Sequence, residues 1–138
     1  MSRIGRAVLG LLAALACVVA PAGTATAMPA ADGPACAITY RPWAHTGGFT
    51  AEIIIRNSGT ATIYGWTLSF PLNEGAEIVD MWNAELDSPS GLISARNTPD
   101  NGRVDPGAAI SLGFLASGTA AGVPSPFTVN GIICTLDG

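Results

Sequence analysis

Lysine is absent from this chain, and histidine occurs once, as His45. Charged residues make up only 12% of the sequence, and acids outnumber bases to give a formal net charge of −4. Two of the arginines, Arg3 and Arg6, sit in an N-terminal stretch that reads as removable. Without it, four arginines face ten acids, a net charge of −6. A surface of that sign repels phosphate backbones and anionic headgroups, so nucleic acid and membranes are poor partners. A lone histidine permits one Ser/His/Asp arrangement at most, and no nucleophile-elbow pattern accompanies it. There is no glycine-rich phosphate loop opening a helix. Glu74, Glu77 and Asp80 cluster, but at a turn and a strand start, where solvated acids are usual. His45 and the scattered acids match no compact metal site. The chain therefore calls for no catalysis, no cofactor and no metal.

Long apolar runs are also missing. The longest, Ala7 to Ala20, falls short of the roughly 20 residues of a membrane span. Behind Arg3 and Arg6, and before the small-x-small site Ala25-Thr26-Ala27, it reads as a signal peptide over 1–27 with cleavage before Met28. A lipoprotein signal acylated at Cys17 fits less well, because Val18 and Val19 continue the apolar run. The mature chain is then secreted and extracellular, free of the membrane, with a short lead-in over 28–35 and one domain over 36–138. Two cysteines remain in it, Cys36 and Cys134. An even pair in a secreted chain predicts a disulfide that staples the first strand to the last.

What the domain does have is alternation. Phe49, Ala51, Ile53 and Ile55 share one face of an extended segment, with Glu52 and Arg56 on the other. Tyr64, Trp66, Leu68 and Phe70 repeat the pattern after the turn residues Asn57-Ser58-Gly59, so Gly48 to Phe70 reads as a hairpin. Further strands are expected over Cys36–Tyr40, ended by Pro42, and over Glu77–Ala84, Leu92–Asn97, Ala109–Leu115 and Phe127–Thr135. Alternation in Glu77–Ala84 is broken: Ile78 pairs in parity with Trp82, and Val79 with Met81. Either a bulge switches faces or a large apolar residue is exposed. No sustained helical period follows the signal. The fold class is all-β: an antiparallel β-sandwich, immunoglobulin-like or jelly-roll-like, with one terminal disulfide.

Aromatic residues are then the remaining source of chemistry. Trp66 reads as core. Trp82, between Asp80 and Asn83 in the strand of ambiguous parity, reads as an exposed plate on which a sugar ring stacks. Trp43 follows Pro42 and is assigned to neither core nor surface.

From Cys36 to Cys134 the chain resembles carbohydrate-binding module family 2, the bacterial cellulose-binding domain family. The resemblance rests on an N-terminal Cys near Tyr40, Gly48-Phe49, the Asn-x-Gly turn at 57–59 and Gly65-Trp66-x-Leu68. It continues through Trp82-Asn83-Ala84, Pro106-Gly107, Gly113-Phe114 and Asn130-Gly131-x-x-Cys134, in the family's order and spacing. It implies a noncatalytic module that holds a polysaccharide of the cellulose, xylan or chitin class, usually for a glycoside hydrolase. Here, with the signal running straight into the module, the hydrolase is expected to be a separate secreted protein. The implied platform is three tryptophans. The middle one falls on Trp82, the first on His45 and the third on Asp100, and family amide positions fall on Glu52, Ser111 and Leu115. The expected carbohydrate-binding residues are Trp82, Trp43, His45, Asn83 and Asp100, with Trp43 substituting for a missing plate. One plate supports roughly millimolar binding. The alternative is an extracellular structural or protein-interaction sandwich that has lost glycan binding.

Overall fold

Twelve short strands form the computed structural model, which describes residues 33–137; the expected leader over 1–27, Cys17 and the first part of the lead-in lie outside them. In chain order they are β1 (Cys36–His45), β2 (Gly48–Asn57), β3 (Ile63–Tyr64), β4 (Thr67–Pro71), β5 (Glu77–Trp82), β6 (Glu85–Ser88), β7 (Leu92–Arg96), β8 (Arg103–Val104), β9 (Ala109–Ser117), β10 (Thr128–Val129), β11 (Ile132–Ile133) and β12 (Thr135–Asp137). One sheet runs β12-β1-β2-β9-β5, a second runs β11-β10-β4-β7-β6, and β3 pairs with β8. All pairs are antiparallel except β1 with β12, where Ala37 lies opposite Thr135.

Side chains alternate into the space between the two large sheets. Ile38, Phe49, Ala51, Ile53, Ile55, Leu112 and Phe114 come from one, and Leu68, Phe70, Ile93 and Ala95 from the other, all essentially inaccessible. Phe70 and Phe114 meet across the sandwich with ring centroids 5.9 Å apart. Phe127 packs on Phe70 at 4.9 Å and on Tyr40 at 5.7 Å. Each such aromatic buries a large apolar area and adds a favourable ring contact.

The segment Gly48–Phe70 is not a hairpin. Its two long strands, β2 and β4, belong to opposite sheets, and 58–66 carries the chain across the end of the sandwich. Tyr64 departs from its expected face: β3 pairs with β8 instead, leaving the ring 77% exposed beneath the Arg103 guanidinium at 5.8 Å. Pro42 does not end β1, which continues to His45. Among the described residues, no strand pairs with β1's outer side beyond Thr39, and an open edge tolerates a residue without N–H. The expected strand over Phe127–Thr135 divides into three. Asn130 and Gly131 both take positive φ, 52° and 82°, which closes a two-residue hairpin between β10 and β11. The chain then passes Cys134 into β12 of the other sheet.

Two fixtures hold the crossing points. Cys36 and Cys134 are joined, closing a loop of sequence separation 98. The buried Asn57 amide donates to the carbonyls of Ala61 and Val104, both at 2.8 Å, and accepts from the Gly59 N–H at 3.0 Å. Its backbone N–H and C=O bond Ala108 and Gly107. One side chain thus satisfies the backbone of the 58–62 loop and of β8 at once.

Removing the disulfide with Cys36→Ala/Cys134→Ala is expected to lower unfolding free energy by about 2–5 kcal/mol in urea melts. Asn57→Ala strands two buried partners, the Val104 carbonyl and the Gly59 N–H, and is expected to cost about 3 kcal/mol. Burial pushes the Tyr40 hydroxyl up to about 12 from 10.0. The unfolded chain therefore ionises first, and stability is expected to fall as pH rises from about 10 through about 12, with Tyr40→Phe flattening that loss.

Candidate functional site

The outward face of the first sheet is built by the same alternation that fills the core. Facing rows can be read across the strands. One runs Trp43–Thr50–Leu115–Asp80, and the next runs Arg41–Glu52–Gly113–Trp82. Trp82 reaches this face because β5 carries an extra residue. The register with β9 shifts between Ile78 and Asp80, so Val79 is left unpaired and 59% exposed. Ile78 is buried, Met81 packs against the core, and Trp82 is turned outward. The broken alternation of Glu77–Ala84 is therefore a β-bulge, and it both exposes Val79 and re-aims the tryptophan.

Gly113 supplies the seat. The Nε1–Cε2–Cζ2 side of the Trp82 indole lies over it so closely that a Cβ there would stand 2.4–2.6 Å from those three atoms. The indole is thus held down on β9 while 43% of the residue stays open to solvent. Trp43 is 53% exposed on the same face, in the adjacent row. β1 and β9 are two strand steps apart and the two rows lie two residues apart along the strands, so Trp43 and the seated indole are separated by roughly 12 Å. Thr50 and Leu115 lie between them.

Polar neighbours are already engaged. Glu52 receives Arg41 at 3.2 Å and the Ser111 hydroxyl at 3.1 Å. His45 shares a hydrogen bond through Nε2 with the Thr50 hydroxyl at 3.0 Å, which draws the ring toward the Trp43 row. Asn83 takes φ 62°, a left-handed conformation that asparagine tolerates. Its Nδ2 donates to the Ser111 carbonyl at 2.9 Å. The Asn83 carbonyl accepts from Asn101 Nδ2 at 2.7 Å. Asn101 in turn accepts the buried Trp66 Nε1–H on its backbone carbonyl at 3.0 Å and the Thr98 N–H on its side chain. The loop that carries Asp100 is therefore fastened to the end of β5 beside Trp82. Asp100 itself is exposed and bonds the Thr98 hydroxyl.

The structure brings Trp82, Asn83 and the Asp100 loop together at one margin of the face, and Trp43 and His45 at the other. Arg41 and Thr50, which sequence reasoning did not single out, complete the surface between them. Their signal was parity with Trp43 and Glu52. Among the described residues, no group of three or more His, Cys, Asp or Glu side chains is placed to hold a metal. A cleft of about 310 Å³ opens elsewhere, between Pro34–Cys36, Ala61–Tyr64 and Ile132.

Comparison with known proteins points the same way. The family model described as "Cellulose binding domain" matches residues 36–134. Exoglucanase A of Cellulomonas fimi is 35% identical over 120 residues, covering 85% of this chain and 14% of the enzyme. Exoglucanase B of the same organism is 38% identical over 104 residues, covering 75% of this chain and 10% of the enzyme. The chain thus spans only a small part of the curated relatives it matches. Among solved structures, the chitin-binding domain of Chi18aC from Streptomyces coelicolor superposes with TM-score 0.59 at 28% identity, over 75% of this chain and 96% of that one. The cellulose-binding family 2 domain of ScLPMO10C does so with TM-score 0.55 at 27% identity, over 70% and 95%. With a two-sheet fold, a terminal disulfide, an outward tryptophan and a match from one cysteine to the other, the chain belongs to the cellulose-binding domain family, a family of noncatalytic carbohydrate-binding modules.

Proposed function

We propose that the β1–β2–β9–β5 face is the polysaccharide-binding surface, with Trp82 as its main plate and Trp43 as its second. The observation that carries this reading is their placement: two exposed indoles on one face, in adjacent rows, roughly 12 Å apart. A glycan lying across the face meets both plates without a pocket. Sugar rings offer flat C–H faces, and indoles bury them with a polar N–H at the rim. His45, Asn83 and Asp100 border the contact, and Arg41 and Glu52 form its polar floor.

The glycan class is that of insoluble β-linked polymers: cellulose, chitin or xylan. The chain is read as a secreted module that acts outside the cell beside glycoside hydrolases. Two plates instead of three, with Asp100 at the third position, set the affinity low. Each plate removes on the order of 100 Å² of apolar surface per partner from water, a few kcal/mol before the cost of association.

Retention of residues 28–138 on cellulose, chitin and xylan tests the reading. At least one polymer is expected to retain the protein, and Trp82→Ala to weaken that retention about tenfold or more. Trp43→Ala is expected to weaken it less. Gly113→Val, which unseats the indole without removing it, is expected to reduce binding and shift tryptophan emission, with the fold retained in circular dichroism. Equal retention of wild type and Trp82→Ala, or none on any polymer, contradicts the platform.

A further inference from the structure

Ion pairing sorts the acids of this chain into two groups. Among the described residues every arginine is taken: Arg41 by Glu52, Arg56 by Asp137, Arg96 by Glu85 and Asp87, and Arg103 by Asp105. Among the described residues, four carboxylates have no arginine partner: Glu74, Glu77, Asp80 and Asp100. They are not scattered. Glu77 and Asp80 lie in β5 itself, on the outward side opposite Ser117 and Leu115 of β9. Glu74 is in the turn that leads into β5, where Ala76 N–H bonds the Asn73 carbonyl. Asp100 is in the loop fastened to the other end of β5 through Asn101 and Asn83. All four are exposed. β5 is the edge strand of its sheet and carries Trp82. The uncompensated charge of the domain therefore runs along the margin of the aromatic face.

A glycan laid from Trp43 to Trp82 leaves the face at the Trp82 end of this margin, with Asp80 one row and Glu77 two rows behind the indole and the Asp100 loop beside Asn83. A neutral polymer gains nothing from it and must desolvate beside carboxylates. A polymer with protonated amines gains a favourable potential there, and its pyranose rings still stack on the indoles. We propose that the face prefers cationic amino-sugar chains, namely β-1,4-linked glucosamine polymers such as partially deacetylated chitin, over their neutral counterparts. This preference rests on the platform reading and adds the charge selection to it. Nothing covalent is involved: the amines arrive protonated, and the carboxylates stay exposed to solvent on either side of the bound chain.

Titration calorimetry with glucosamine hexamer and its fully N-acetylated counterpart, in mildly acidic buffer that keeps the amines protonated, tests it. The deacetylated chain is expected to bind about tenfold tighter at low salt, the sum of several exposed charge contacts. Near 0.5 M salt, where screening acts within about 4–5 Å, the preference is expected to vanish while binding of the N-acetylated chain is unchanged. The variant Glu77→Gln/Asp80→Asn is expected to lose most of the preference and keep the N-acetylated affinity. These are exposed, isosteric changes, and the amide oxygen introduced by Asp80→Asn can still accept the Met81 N–H that Asp80 holds at 2.9 Å. Equal affinity for both hexamers with Trp82-dependent binding of each overturns the charge selection alone. Loss of Trp82 dependence for both overturns the platform beneath it. Polylysine binding as tightly as the amino-sugar chain, unmoved by Trp82→Ala, overturns the proposal in favour of basic protein surfaces.

Discussion

One inserted residue governs the functional face. With strict alternation, β5 would bury Trp82 together with Ile78 and present Val79 with Met81. The bulge at Val79 breaks that rule, so Ile78 and Met81 both enter the core and Trp82 emerges opposite Gly113. A bulge is tolerated here because β5 is an edge strand, with only β9 to disturb. The missing side chain at Gly113 then lets the indole settle on the sheet. The left-handed Asn83 turns the chain away immediately afterwards. Re-aiming, seating and exit are thus local consequences of three neighbouring sequence features.

Core and face are mechanically continuous. Trp66 is buried, yet its indole N–H reaches the carbonyl of Asn101, and the Asn101 amide reaches the carbonyl of Asn83, the residue after Trp82. Asn97 joins the same network by accepting the Trp66 backbone N–H at 2.9 Å. Asparagine side chains carry these links because a short amide donates and accepts at once, clipping irregular backbone that has no sheet partner. Asn57 performs the same service at the start of the 58–66 crossing that Trp66 ends. The disulfide closes the corner where the chain leaves β11 for β12.

Much of this was legible in the chain. Strict alternation in Phe49–Ile55 and around Leu112–Phe114 set the inner faces. The even cysteine pair of a chain read as secreted pointed to the staple, and the broken parity of Glu77–Ala84 announced the bulge without deciding its direction. What sequence could not supply was which strands share a sheet. Gly48–Phe70 looks like a hairpin because local pattern records alternation but not partnership, and a chain crossing between layers has the same polar turn as one folding back. Tyr64 was misplaced for the same reason. The division at Asn130-Gly131 was readable from its turn chemistry but was masked by apolar residues on both sides. At the site, Trp82 was found from its awkward parity, whereas Thr50 and Arg41 become visible only once β1, β2, β9 and β5 are known to lie side by side.

The three tryptophans provide a direct test of the central claim, that Trp82 and Trp43 form one glycan-contacting face while Trp66 serves the core. Each has a distinct indole N–H resonance. In a nitrogen–proton correlation titration with soluble cello- or chito-oligosaccharides, the resonances of Trp82 and Trp43 are expected to move together along one saturation curve. That of Trp66, 2% exposed and bonded to Asn101, is expected to stay in place. Shifts confined to the second sheet or to the cleft beside Tyr64, with Trp82 unmoved, would contradict the account.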